Sequence, residues 1–598
     1  MLGKREAQRG LLEADTMYGD FVGKKTFYGF LAAQRDELFR DEAFAGLYNA
    51  KLGRPSVAPS VLATALVLQS YDGVSDDEAR RRATYDLQWK VALGIPVDSQ
   101  PFAKSTLQEF RAQLILHQEQ GAIFQASLEL AKRRGHFTGS RKLKLALDTT
   151  NILGRGAVKD TYRLLADGIV IVLRVLAEQA HAKFEVFGKR AGYRRYVEGP
   201  SLKGRAGINW DDASARRRFL GEIVADADRL LEQVRVARGK LVADSTEDRA
   251  LVEAAGVLAR VLVQDIERRP DGPAQRDGVA KDRMPSVHDP EMRHGHKSAA
   301  KRFAGHKVQI AVDPESQLIT AVAAIPGNAP DHEQALAVVE QSEARTGCAV
   351  EETIGDCAYG DGPTRQQFAD AERTLIAKVP ATTNQGRFPK TEFSIDLDEL
   401  SCTCPADQVT HDLRPSADGG GVFHFAAEVC EACPLRAQCV RGSGGRTVQL
   451  HPQEALLQAA RDLQSSPAFI PYRALRQVVE HRIARLAQLG IRQARYRGLA
   501  KTLFQAFMAA TVANLTLLAG KPVADQAAGA AGALAAALIA AILARWSSRE
   551  FSQTLSRAAA SIVNPNSAPA PLAGSLQRLV GSIFALSTPK MGVLRPGS

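Results

Sequence analysis

Cysteine is scarce in this sequence: seven residues among 598, too few for a disulfide scaffold of this size. Five of the seven, Cys402, Cys404, Cys430, Cys433 and Cys439, crowd between positions 402 and 439, as a metal site would require. The N-terminal stretch MLGKREAQRGLLEADTMYGD has no apolar h-region and carries charges throughout, so no secretory signal is expected and a cytoplasmic protein follows. No repeat of fixed period runs through the chain. An uncharged run long enough to span a bilayer, residues 527 to 544, is mostly Ala and Gly. Its strongly apolar members, Leu534, Leu538, Ile539, Ile542 and Leu543, share one helical face, so a packed helix is expected and no membrane segment.

The remaining composition, 45% hydrophobic and 24% charged, is that of a folded soluble protein, and the length implies two to four domains. Lysine and arginine number 77 against 66 acids, a net charge of +11 that favours a polyanionic partner through phosphate attraction. A solvated basic face or an anionic membrane surface would explain the same balance.

Residues 56 to 134 read as short helices with interspersed arginines, a plain helical domain or a DNA-binding one. Lys142 to Thr149, KLKLALDT, alternates and then turns continuously apolar, predicting a strand with Asp148 near its end. Helical patterns at 219 to 234 and 250 to 266, with a Pro/Gly/Asp-rich stretch at 269 to 290, predict a helical insertion over about 155 to 300. From His306 the pattern becomes α/β: strands at 307 to 313 and 318 to 325 around the turn PESQ, a helix after Asp331, a strand at 349 to 356, a helix, and a strand at 374 to 379. Helices return from Gln453 to Leu518, and the tail beyond Lys521 is rich in Ala, Ser and Pro.

This order, a strand with Asp148, a hairpin, a helix, a strand with Asp356, a helix, a strand and a helix with Glu480, is that of a ribonuclease-H-like domain. Oxygen ligands suit magnesium or manganese, and three carboxylates can hold a pair of ions that stabilises attacking and leaving oxygens in a phosphoryl displacement. Glu480 is the only acid between Asp462 and Asp525, set among Arg473, Arg476, Arg482, Arg485, Arg492, Arg495, Arg497 and Lys501. A helix selected for solubility would mix signs, so this pattern points to a metal ligand in a phosphate-binding surface; the alternative is an i, i+4 ion pair with Arg476. Asp148 and Asp356 each carry the weaker reading of a turn or cap residue, with Asp160, Asp313, Asp331 and Asp361 as substitutes. Around Asp356, Gly355, Gly360 and Gly362 suit close backbone approach or a tight turn.

LDTTNILGRGAVKDTY (147 to 162), SLKGRAGINWDD (201 to 212), HDPEMRHGHKSAAKRFAGHK (288 to 307), PGNAPDHEQAL (326 to 336) and IGDCAYGDG (354 to 362) resemble the DDE transposases of bacterial insertion sequences. The specific likeness, from about 15 to 520, is to a group with a helical N-terminal domain and a cysteine cluster before the final glutamate. The resemblance implies a ribonuclease-H-like catalytic core, magnesium dependence, binding to terminal inverted repeats, and the three acidic roles at Asp148, Asp356 and Glu480. Arg476 keeps the place of the group's arginine; the places of its tyrosine and lysine hold Arg473, next to Tyr472, and Ala487, with Arg485 or Arg492 as substitutes.

The expected architecture is an α/β ribonuclease-H-like catalytic core, residues 141–400 and 446–520, with the helical insertion. To it are added a helical N-terminal domain (1–140), a cysteine-rich zinc-binding insertion (401–445) and a C-terminal tail (521–598) with one apolar helix. The expected function is metal-dependent DNA strand cleavage and transfer by a homodimer on double-stranded DNA. An inactive transposase-derived DNA-binding protein and a membrane-associated structural protein are the alternatives. Residues 56 to 134 are expected to recognise the inverted repeats. Arg293, Lys297, Lys301, His306 and Lys307 are expected to contact phosphates, as are Arg476, Arg482, Arg485 and Arg492 on the glutamate side. Cys404, Cys430, Cys433 and Cys439, as CxC and CxxC pairs, are expected to close on one structural zinc, with Cys402 as a spare ligand. The Gly- and Asp-rich loop around them offers little apolar surface with which to order itself.

Overall fold

A computed structural model describes residues 1–5, 12–50, 52–199, 201–297 and 300–520; the tail from 521 and the apolar helix expected in it lie outside the described residues. The chain opens with seven helices among the described residues: α1 (Ala14–Val22), α2 (Phe27–Leu38), α3 (Pro59–Asp72), α4 (Asp76–Tyr85), α5 (Leu87–Leu93), α6 (Lys104–Leu116) and α7 (Ala122–Arg133). Pro59 starts α3 and Gly73 in the left-handed conformation ends it; the Ser75 hydroxyl and the Asp86 carboxylate then cap α4 and α5.

Strand β1 (Leu143–Leu153) follows, and Leu143, Leu145, Ala146 and Leu147 are fully buried, the continuous burial of a strand covered on both faces. Next come α8 (Thr161–Gln179), α9 (Phe184–Arg190), α10 (Arg194–Val197), α11 (Ala213–Arg238) and α12 (Thr246–Asp265). Leu164, Leu173, Ile223, Leu230, Leu251 and Leu258 of these helices close a hydrophobic core of their own. Beyond α12 a hairpin, β2 (Ile266–Arg269) and β3 (Gly272–Gln275), opens the Pro/Gly/Asp-rich stretch, which then runs without helix or strand to β4 (Arg293–His296).

The main sheet is completed by β5 (Arg302–Val312), β6 (Ile319–Pro326), β7 (Val350–Ile354) and β8 (Thr374–Ile376), with α13 (Ala335–Thr346) and α14 (Gly362–Asp370) between them. β6, β5 and β1 are antiparallel, with Asp148 opposite Ile310; β1, β7 and β8 are parallel, with Ala146 opposite Ile354 and Ile354 opposite Ile376. The spatial order is therefore β6-β5-β1-β7-β8, and β4 pairs with the first residues of β5.

Two three-stranded sheets follow: β9 (Ser394–Asp396), β10 (Ser401–Thr403) and β11 (Val409–Thr410), then β12 (Leu413–Pro415), β13 (Gly421–His424) and β14 (Thr447–Leu450). Between β13 and β14 lie the short helices α15 (Ala427–Glu431) and α16 (Arg436–Cys439). Phe393, Ile395, Cys402, Phe423, Phe425, Val448 and Leu450 form an apolar cluster here, so the segment has more ordering surface than its Gly and Asp content implies.

Helices α17 (Glu454–Ser465), α18 (Ile470–Gln488) and α19 (Leu499–Gly520) end the described chain. By length and composition alone α19 could cross a membrane. Its Phe504, Phe507, Val512 and Leu515 are instead buried in the main core, which takes in β1, β5 and β6 together with the N-terminal helices. The N-terminal helices thus share most of their core with the sheet, beside a small cluster of their own formed by Ala14, Val22 and Val91.

Candidate active site

The parallel register sets the site. Ala146 and Ile354 are partners, and two residues further along each chain stand Asp148, still in β1, and Asp356, just beyond β7. Adjacent strands lie about 4.8 Å apart, so the two carboxylates emerge as neighbours at the same end of the sheet. Each binds a local amide: Asp148 Oδ1 accepts from Thr149 N at 2.7 Å, and Asp356 Oδ1 accepts from Ala358 N at 2.9 Å, capping the turn Cys357–Tyr359.

Glu480 comes from α18, whose buried Val479, Ile483 and Leu486 dock on the core. Tyr472, at the start of α18, donates its hydroxyl to Glu352 Oε1 at 2.8 Å, and Lys144 of β1 binds Glu352 at 2.7 Å. This anchors the helix to β1 and β7 at once. Glu480 is exposed and paired with Arg476, so the i, i+4 ion pair does form. It does not take Glu480 out of the acidic group, because Asp148 feels both partners. Burial pushes the Asp148 carboxyl up to about 6; the Thr149 amide and Arg476 pull it down, and Asp356 and Glu480 push it further up.

A buried hydroxyl underlies the pair of aspartates. Tyr359 is fully buried, and its hydroxyl meets Thr149 Oγ1 at 2.9 Å and Gln309 Nε2 at 3.0 Å. Gly355 gives the ring room, since a Cβ there would stand 2.7 Å from Tyr359 Cβ, and a Cβ at Gly360 would stand 1.8 Å from the Lys378 carbonyl. Above the turn, His332 Nδ1 donates to the Ala358 carbonyl at 2.9 Å, and Lys307 binds Asp331 at 2.8 Å. None of these partnerships was visible in the sequence, although Tyr359 lies inside the glycine-rich motif around Asp356.

The substitute acids have structural tasks. Asp313 is buried on Arg141 and Ser316, Asp160 and Asp361 cap α8 and α14, and Asp331 holds Lys307.

The expected phosphate contacts need correction. His306 is fully buried, 3.5 Å from buried Asp289, which also accepts from the Gly498 amide. Arg293 is buried on Asp282 and the carbonyls of Pro290 and Met292. Arg482 is buried, donates to the Ala513 carbonyl at 2.7 Å, and has its pKa lowered to about 10 by burial. These three face the protein interior, and Lys307 is largely taken up by Asp331 and the Ala329 carbonyl. Lys297, Lys301 and Arg492 are exposed, and Arg485 is half-buried.

In the cysteine-rich segment Cys430 and Cys439 are buried and Cys404 and Cys433 half-buried. Cys439 has its pKa raised by burial, then lowered by Arg446 and raised by Cys430, Cys404 and Cys433. The Arg446 amide donates to Cys430 Sγ at 3.4 Å. Cys402 points into the apolar cluster, and burial pushes its thiol up to about 11. Among the described residues no three His, Cys, Asp or Glu side chains are gathered closely enough to hold a metal ion as they stand.

Two family models match the chain. Residues 403–519, from β10 through α19, match a transposase DDE domain, and residues 17–113, covering most of α1 to α6, match a transposase domain (DUF772). The two matches support a transposase function and a DDE-type family. Glu480 lies inside the first match, while Asp148 and Asp356 fall outside both. No curated protein and no solved structure matches the chain.

Proposed function

We propose that this chain is an insertion-sequence transposase whose ribonuclease-H-like core cleaves and joins DNA strands with Asp148, Asp356 and Glu480. What supports the reading is the β1–β7 register, which puts Asp148 and Asp356 each two residues beyond the paired Ala146 and Ile354, with Glu480 on a helix tied to both strands. The strand order and directions support the core assignment: three antiparallel strands ending in β1, then two parallel ones. The matched transposase DDE domain supports the reaction class, phosphodiester hydrolysis followed by transesterification.

The donor set suits magnesium or manganese, being three carboxylates of which Asp148 has its pKa raised first by burial and then by Asp356 and Glu480, a buried charge that a divalent cation would offset. Bound there, such ions supply charge stabilisation to the attacking and leaving oxygens. The protein's own contribution is to hold the carboxylates. Asp148 and Asp356 are fixed by backbone amides, and Glu480 is restrained by Arg476, which must release one oxygen or share it when a cation enters. Exposed Lys297, Lys301 and Arg492, with Arg485, supply the phosphate surface, and the helices of 56–134 read the inverted repeats of double-stranded DNA. Joining two element ends implies two active sites, hence a homodimer.

Cys404, Cys430, Cys433 and Cys439 make a second, structural site for zinc. Thiolate donors suit that ion, and the CxC and CxxC pairs fall in and beside β10, α15 and α16, which belong to one small cysteine-rich unit. The apolar cluster beneath them orders the segment, so zinc fixes its outer end and does not fold it outright.

The reading is tested by Glu480→Gln, which should lose strand cleavage at an element end in magnesium while binding that DNA normally. Cleavage at the wild-type rate would remove Glu480 from the site.

A further inference from the structure

Asp148 and Asp356 sit on β1 and on the turn after β7, and beyond the strand pairing a side-chain hydrogen-bond chain crosses between them. Gln309 Nε2 can only donate, so the Tyr359 hydroxyl accepts from it at 3.0 Å. Tyr359 then has its single proton left for Thr149 Oγ1 at 2.9 Å. Thr149 in turn points its proton at the Asp331 carbonyl at 3.3 Å. Every proton in the chain has one direction. It runs from β5 to the turn holding Asp356, on to the residue after Asp148, and ends at the loop before α13.

Tyr359 and Gln309 are fully buried, and the Tyr359 ring packs where Gly355 leaves room, one residue before Asp356. Water cannot replace a link without opening this packing, and a lost link leaves a buried polar group unmatched. Beyond the last paired residues of the β1–β7 ladder, the chain therefore holds Thr149 against the turn, and with it refines the separation of the neighbouring Asp148 and Asp356. Without such a brace the turn that carries Asp356 would hold its carboxylate at variable spacing from Asp148 in β1.

We propose that Tyr359, acting through Thr149, is a positioning residue that sets the Asp148–Asp356 spacing for divalent-cation binding. The inference rests on the three-carboxylate reading and adds residues to it that touch neither cation nor DNA.

The test is Mn2+ binding to the full-length protein without DNA, followed by the electron paramagnetic resonance of free Mn2+. Tyr359→Phe and Thr149→Val should each weaken binding about tenfold or more, while Thr149→Ser, which keeps the hydroxyl, stays within about twofold of wild type. Affinity for DNA should change little in all three, and the melting temperature should fall modestly in Tyr359→Phe and Thr149→Val, where a buried polar group is left unmatched, with the fold retained. Wild-type Mn2+ affinity in Tyr359→Phe and Thr149→Val, in a series where Asp148→Asn has lost it, overturns the positioning role and leaves the carboxylate reading standing. Unchanged affinity in Asp148→Asn as well means that the carboxylate reading itself fails and takes this inference with it. If Tyr359→Phe and Thr149→Val both fail to fold, the chain serves the core and the positioning role is likewise rejected.

Discussion

Asp148 and Asp356 are neighbours because they follow, each by two residues, the Ala146–Ile354 pair of two parallel strands. Neither residue type nor spacing along the chain would bring them together without that register. The ion pair of Glu480 with Arg476 sits close enough for both of its members to act on Asp148.

Burial of Asp148 beside the two other carboxylates has a pH signature. The folded protein binds the Asp148 proton more tightly than the unfolded chain does, about 6 against the usual 3.8. Its contribution to stability is complete below about pH 4 and is lost as the pH rises to about 6. One pKa unit is about 1.4 kcal/mol, so the loss is on the order of 2 kcal/mol after allowance for partial solvation. Urea unfolding of metal-free protein at pH 4.5 and 7 should show a smaller decline for Asp148→Asn than for wild type. An identical decline would mean that Asp148 is not under this strain.

Burial separates arginines that the sequence makes look alike. Arg482 reaches only inward, to the Ala513 carbonyl, whereas Arg492 is exposed. Replacing Lys297, Lys301 or Arg492 with Ala should weaken binding to inverted-repeat and random DNA by similar factors and flatten the salt dependence. Arg482→Met should leave DNA affinity untouched, because it removes a buried guanidinium that meets no phosphate, and stability should shift by no more than about 1–2 kcal/mol. A selective loss of DNA binding in Arg482→Met, seen by fluorescence anisotropy, would contradict this division.

Zinc analysis of protein purified without chelator should give one ion per chain. Cys430→Ser with Cys433→Ser should release it, while Cys402→Ala should keep it, because the Cys402 thiol is buried in the apolar cluster with its pKa raised. Zinc-free protein with full activity would reject the site.

Strand β1 and the β5–β6 hairpin were legible in the sequence because their apolar alternation is local, as were the helix after Asp331 and the strand before Asp356. Glu480 was legible as a lone acid among bases. The fate of the bases was not, since a positive side chain does not announce its partner. His306 and Arg293 found Asp289 and Asp282 in the run before β4, and Arg482 found a carbonyl on α19. The strands β2, β3 and β9 to β14 were missed because runs of two to four residues carry no measurable period. The sharing of one core by α19 and the N-terminal helices depends on contacts between residues hundreds of positions apart, such as Arg134 with the Leu518 carbonyl.

Whether three carboxylates make one active site can be read from a duplex carrying an element end, incubated in magnesium with wild type, Asp148→Asn, Asp356→Asn and Glu480→Gln, with bound and cleaved DNA counted in the same samples. Strand cleavage is expected from wild type only, with a loss of at least about a thousandfold in each variant and comparable DNA binding by all four. Near-normal cleavage by any one variant would break the triad.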